Sequence, residues 1–369
     1  MAQHKLYGSH SLIGSDRPTV PLTNIHALVA MSSAMPLTSL PKSKSKASAS
    51  ASNTDSAKAA AHANTNQEWQ TPEDPDFVHP DHVIPPPSYP SADNLIIVCC
   101  HAIFLPDADA SEFPLYSPHY EPNWLLSPFQ KSNAETGKPG EHETFLTHVK
   151  AGLDALTIGT DQEHPPSSLL VLSGGATQRS RTSTSEARSY YHAALAEELA
   201  DGHLHGGRAH RMFSKGYILL EEQATDSFQN LLFSILLFRK TTGKYPKQIR
   251  IITHAFKGRR FLELHAPAIQ WPQDRIQVQG IDPVMSRQDL ESTLQGEAEH
   301  GYAPWKEDPY GMREPLSGKR RQRGWDHGDE QRAADLQDGI EDSVKDLLQG
   351  KSSGQLPWNA PEVAAEEST

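Results

Sequence analysis

Four short segments of this 369-residue chain hold side chains whose types and spacing suit chemistry on a small molecule. The first is Cys100-His101. A thiol beside an imidazole pairs a nucleophile with its base. Neighbouring strand residues point to opposite faces, so a buried thiol next to a hydrogen-bonded His101 reads equally well, and His101 is the better functional candidate. The second is Ser173-Gly174-Gly175-Ala176-Thr177, which leads through Arg179 and Arg181 to a helix start. Glycines admit close backbone approach and helix-start amides attract anions, although the same residues also make a plain tight turn. The segment is neither a Walker A loop nor Gly-x-Gly-x-x-Gly, and Ser173 lacks the Gly-x-Ser-x-Gly elbow. The third runs from Glu221 to Asn230 and is dense in carboxylates and amides. Asp226 reads most simply as a helix N-cap, Glu221 as an acid/base or hydroxyl-binding group, and Asn230 as a polar clamp. The fourth, Thr253 to Arg260, sets Lys257, Arg259 and Arg260 beside a helix start. Those cations fit a phosphate or carboxylate, or else form a solvated face paired with Glu263. If these loops converge, the cations should hold the Glu221 carboxyl below its usual range.

The remaining polar clusters say less. Nineteen histidines invite a metal, but no His-x-x-x-His pair with a nearby acid and no cysteine pair at ligand spacing occurs, so no metal is expected. Lys319-Arg320-Arg321-Gln322-Arg323 is a basic run in a chain of net charge −12. It reads first as surface, and second as a localisation or anion-binding element.

The elements that must position these segments are legible from about Leu95 onward. Leu95 to Cys99, Leu169 to Leu172, Tyr217 to Leu220, Ile249 to Thr253 and Ile276 to Ile281 are short apolar runs of the kind that strands buried on both faces require. Helical patterns separate them. Phe145, Val149, Leu153 and Leu156 share one face, and Ala187, Tyr190, Tyr191, Ala194, Leu195 and Leu199 share another behind a capping box at Ser183 and Glu186. A third helix starts at Asp226 and ends at Gly243, and a shorter fourth covers Lys257 to His265. Alternating strands and helices imply a Rossmann-like α/β domain, three-layered around a mainly parallel sheet. In such sheets ligands sit outside the carboxyl ends of the strands, where all four segments fall.

Those segments, in that order, resemble the YdcF/SanA/ElyC-like family, a domain of unknown function, and most closely its uncharacterised fungal branch. Ser173-Gly174-Gly175 and Ser185-Glu186-Ala187 match the family's Ser-Gly-Gly and Ser-Glu-Ala elements. Glu221, Asp226, Ser227 and Asn230 fall at its Glu, Asn, Thr and Asn positions, and Thr253 and Arg260 match the third element. Ala224 and His254 stand at family serines, Lys257 at the family histidine, and Cys100-His101-Ala102-Ile103 replaces the opening Gly-rich turn. The similarity covers residues 93–315. It implies a Rossmann-like fold and, from a bacterial member's association, S-adenosylmethionine as one ligand option; it implies no known reaction.

The rest of the chain bounds the reading. Residues 1–92 hold a Ser/Ala/Lys-rich low-complexity stretch with no Leu, Ile, Val or Phe from Pro41 to Asp76, expected to be a disordered arm. Residues 93–300 form the α/β domain, 301–350 an irregular extension, and 351–369 a disordered tail. No apolar run approaches a membrane span, two adjacent cysteines suit a reducing compartment, and the acidic balance disfavours nucleic acid. The cytoplasm is the expected location, with mitochondrial import the alternative. The expected function is binding or acting on a small anionic, nucleotide-like or S-adenosylmethionine-like ligand, with catalytic Glu221 and His101. Ser173, Gly174, Gly175, Glu186, Asp226, Ser227, Asn230, Thr253, Lys257 and Arg260 would contact that ligand. Lys257 in place of histidine, with the long added ends, keeps a second reading open: a non-catalytic module that meets a protein through the C-terminal extension.

Overall fold

The computed structural model describes residues 89–360, apart from 90, 107–116, 159–165, 327–329, 331–332 and 353. Nearly all of the expected arm and the last nine residues of the expected tail lie outside it. The strands that end in the four segments are β1 (Asn94–Cys99), β4 (Ser168–Ser173), β5 (Ile218–Glu221), β6 (Gln248–Thr253) and β7 (Ile276–Gly280). They form one parallel sheet in the order β5-β4-β1-β6-β7. The α/β class and the five strands follow the sequence reading. A second, two-stranded antiparallel pair, β2 (Ile103–Phe104) with β3 (Trp124–Leu125), is too short to have left a periodic signal.

The sheet is apolar on both sides because β1 alternates into two cores. Leu95, Ile97 and Cys99 join one; Ile96, Val98 and Cys100 join the other. Helices α1 (His142–Thr157) and α2 (Glu186–Ala200) cover the second face, with the short α3 (Gly207–Ser214) beside them. α4 (Ser227–Thr242) covers the first, burying Phe228, Leu231, Leu232, Ile235 and Leu236. Each fully buried side chain of this kind contributes about 1.5–3 kcal/mol, so the two cores fix the layers.

Caps and ends differ in detail from the sequence reading. Asp226 caps α4 by accepting from the Gln229 amide at 2.9 Å, and Gly243 ends the helix in the left-handed region, as expected. α2 is capped by Ser185, which accepts from Arg188 N at 3.0 Å, and not by Ser183. The helix after β6 runs on to Ala268 through a π-turn at Phe261–His265. The C-terminal boundaries move furthest. Trp305, Leu316, Leu336, Ile340, Val344 and Leu347 belong to the same core as α4, so the extension is a layer of the domain. Leu356 and Trp358 are buried there too, and the Trp358 indole donates to Ile269 O at 3.0 Å, which corrects the expected tail over those residues. Single aromatic anchors without periodicity carry this packing, and composition hides them.

Candidate functional site

The strand order places a topological switch at the centre of the sheet. From β1 the chain winds outward through β4 to β5, then crosses back to β6 on the other side of β1. The crevice at the carboxyl ends of β1 and β6 is where such sheets hold ligands. One row of the register crosses the edge beside it, with Glu221 opposite Ser173 and Ser173 opposite Cys99.

The β5–β4 half of that edge is closed. Ser173 and Glu221 are buried, and Ser173 Oγ lies 2.6 Å from Glu221 Oε2 and 3.0 Å from Asn230 Oδ1 on α4. Glu221 Oε1 accepts from the amides of Gln223 at 2.7 Å and Ala224 at 3.0 Å. Burial pushes the Glu221 carboxyl up to about 7. This corrects the expected depression: burial dominates where the nearby cations were expected to act. A protonated Oε2 also resolves the geometry. It donates to Ser173, whose single proton then goes to Asn230, and every atom is satisfied. Glu221 is thereby a buried positioning group, not a residue open to a substrate as the catalytic assignment required.

The glycines belong to the same closed half. Gly174 N donates to Glu221 O at 2.9 Å and Gly175 N to Ala224 O at 2.7 Å. The first amides of α2 donate back to the carbonyls of Gly175 and Gly174, both at 3.0 Å. An anion cradle needs free amides, so that expectation is corrected. Glycine is needed because a Cβ on Gly174 would meet the Glu186 side chain at 2.9 Å, and one on Gly175 the carbonyls of Gln223 and Ala224 at 3.0 Å. Glu186 accepts from Thr177 Oγ1 at 2.5 Å, and burial raises its carboxyl to about 7. Asp226 is paired with Arg320 Nε at 2.5 Å, and Ser227 Oγ with His265 Nε2 at 2.8 Å.

The β1–β6 half is different. Lys257 Nζ lies 3.3 Å from His101 Nδ1 and donates to it, so His101 carries its proton on Nε2 and donates to Thr253 Oγ1 at 3.2 Å. The His101 backbone is pinned by Tyr190 Oη and the Gln130 amide. His254 stacks on the His101 ring at 4.6 Å, and His148 from α1 stands edge-on to His254 at 5.1 Å. Burial holds all three imidazoles neutral: His101 and His254 fall well below the usual range and His148 to about 4. His148 Nε2 donates to Ile281 O at 2.9 Å, while His148 Nδ1 and both nitrogens of His254, a residue only 2 % exposed, make no hydrogen bond; the Glu141 carboxyl stands 3.9 Å from His254 Nε2. Half-buried Lys257 is lowered to about 8, by burial first and by the charge of Arg260 second. Arg260 Nε faces Glu297 Oε1 at 3.5 Å without a hydrogen bond to it.

The structure therefore gathers His101, Thr253, Lys257 and Arg260 at the switch, and sets Ser173, Glu221, Asn230 and Glu186 in a packed network beside it. Arg259 is absent from both, being exposed and paired with Glu263 at 2.9 Å. Cys99 and Cys100 are buried in opposite cores, and burial pushes the Cys100 thiol well above its usual range and the Cys99 thiol up to about 12, which argues against the Cys100 nucleophile reading. His148 was missed, although a lone histidine on the apolar face of α1 beside Phe145 and Val149 was a usable signal. Among the described residues no group of three or more His, Cys, Asp or Glu is arranged to hold a metal ion. No helix among them is long and apolar enough to cross a membrane.

Known proteins add little to this geometry. The chain is similar to the uncharacterized protein YOR238W of Saccharomyces cerevisiae, 27 % identical over 309 residues, which is 72 % of this chain and 97 % of that protein. No family model and no solved structure matches the chain.

Proposed function

We propose that the chain is a divergent member of the YdcF/SanA/ElyC-like family that binds a small anionic, nucleotide-like or S-adenosylmethionine-like molecule in the crevice between β1 and β6. The observation that carries this reading is His254, buried at a topological switch with neither ring nitrogen hydrogen-bonded, beside the cations Lys257 and Arg260. A buried polar group without a partner costs about 1–3 kcal/mol, a cost that a ligand in the crevice offsets. Lys257 serves as the anion contact. When it turns to the ligand it leaves His101 Nδ1 with a free lone pair, held in place by Thr253, and this neutral imidazole is able to accept a hydrogen bond from the ligand.

The alternative, a protein-binding module working through the C-terminal extension, draws no support from the packing, because the extension's apolar side chains face the domain's own core. A thermal-shift panel of nucleotides and S-adenosylmethionine tests the small-molecule reading. A ligand at 100 times its dissociation constant stabilises the fold by about 2.7 kcal/mol, and Lys257→Gln should abolish the shift. A flat response across the panel removes the reading.

A further inference from the structure

We propose that the molecule held at this site carries a phosphoryl group, and that Lys319 and Arg323 of the C-terminal extension complete its receptor. The inference deepens the small-molecule reading above and rests on it. Its starting point is the helix Leu316–Gln322, which a buried ion pair brings to the sheet edge: Arg320 Nε meets Oδ2 of Asp226, the cap of α4, at 2.5 Å. Arg320 also donates to Tyr310 O at 2.9 Å and lies over the Trp305 ring. The anchor fixes the residues on either side of it. Arg323 Nη1 donates to Thr225 O at 2.6 Å, in the loop between β5 and α4, and Lys319 Nζ donates to His300 O at 2.7 Å. Both partners are neutral carbonyls. Among the described residues neither cation has a carboxylate in ion-pair range.

These charges are close to those already at the crevice. Lys319 reaches His300 O on the same helical turn, Glu297–Tyr302, that sets Glu297 3.5 Å from Arg260. Burial lowers Lys319, with Arg323 and Arg260 acting in the same direction and Glu297 against them; burial also lowers Arg260, where Glu297 and Asp226 oppose it ahead of the contribution of Arg323. Four cations thus crowd one end of the sheet. Of the carboxyls there, Glu297 faces Arg260 without bonding to it, Asp226 is committed to Arg320, Glu141 is paired with Lys138 at 3.3 Å, and burial raises the Glu186 carboxyl. Such an excess of positive charge matches a group of nearly two negative charges with three acceptor oxygens. It disfavours S-adenosylmethionine, whose sulfonium is itself a cation and whose carboxylate supplies one negative charge.

Calorimetry on the full chain at fixed salt, with inorganic pyrophosphate, ADP, adenosine and S-adenosylmethionine as probes, tests this. Pyrophosphate and ADP should bind at least tenfold more tightly than the other two. Lys319→Gln and Arg323→Gln should each weaken pyrophosphate about tenfold, the loss expected for one charge-assisted hydrogen bond. Lys319→Arg should retain binding, and Arg321→Gln, an exposed residue paired with Glu314, should change nothing. ADP binding that is lost in Lys257→Gln but indifferent to Lys319→Gln and Arg323→Gln removes the extension from the site and leaves the small-molecule reading standing. S-adenosylmethionine binding more tightly than ADP overturns the phosphoryl class alone. Binding of none of the four overturns both.

Discussion

Two halves of one sheet edge, a few ångströms apart in the register, treat their polar groups in opposite ways. At β5 and β4, Glu221, Ser173, Asn230, Gly174 and Gly175 satisfy one another, and burial raises a carboxyl until its proton completes the network. At β1 and β6, imidazole nitrogens are buried without partners and cations stand close to one another. Satisfied polar groups hold a fold, whereas unsatisfied ones are tolerated where something else meets them. The proposed ligand crevice is on the second half.

Mutations should separate the halves, beginning with the largest effect. Arg320→Ala leaves the largely buried Asp226 without its ion-pair partner, holding only the Gln229 amide, so denaturant unfolding should show a loss of about 3 kcal/mol. A smaller loss would mean that the extension is not clamped to the α4 cap. Glu221→Ala strips the Gln223 and Ala224 amides and Ser173 of partners and should cost about 3 kcal/mol by the same measurement.

Glu221→Gln sharpens the contrast. The folded-state pKa, about 7, lies above the ordinary 4.5, so the contribution of this carboxyl is fully present below pH 4.5 and is lost as pH rises through 7. The amide mimics the protonated acid and does not titrate. The variant should match the parent near pH 5 and exceed its stability at pH 8 by roughly 1–3 kcal/mol. A parent as stable as the variant at pH 8 would show that the fold does not raise the Glu221 pKa.

On the other half, substitution should stabilise. His254→Phe keeps the ring stacked between His101 and Phe256 and removes two unpartnered nitrogens, a gain of about 1–2 kcal/mol at pH 7. The gain should widen at pH 5. The depressed folded-state pKa makes the parent lose stability as pH falls below the ordinary 6.5, and phenylalanine has nothing to protonate. Destabilisation by His254→Phe would place this half with the other as structural. The smallest effect on stability is expected for Lys257→Gln, within about 0.5 kcal/mol of the parent. Its mark should be lost ligand response in the thermal-shift panel.

The sequence by itself determined the layers. Five apolar runs too short for helices, separated by faces of 3.6-residue period, permit little besides a parallel sheet covered on both sides, and the α4 cap at Asp226 and stop at Gly243 are local chemistry. It also placed His101 and Thr253 at strand ends and Lys257 and Arg260 in the helical turns after β6, because the end of an apolar run is visible in one dimension. What it could not give was charge state or partner. Glu221 was expected beside cations that lower its pKa, and burial, a property of everything packed around it, raised the pKa instead. His148 reaches the switch from α1, and Arg323 reaches the β5–α4 loop from the far C-terminal layer. The glycine amides are taken by the end of β5 at Glu221 and by the β5–α4 loop at Ala224, contacts invisible in one dimension. Dielectric surroundings and long-range pairing depend on which surfaces meet, and only the tertiary structure decides that.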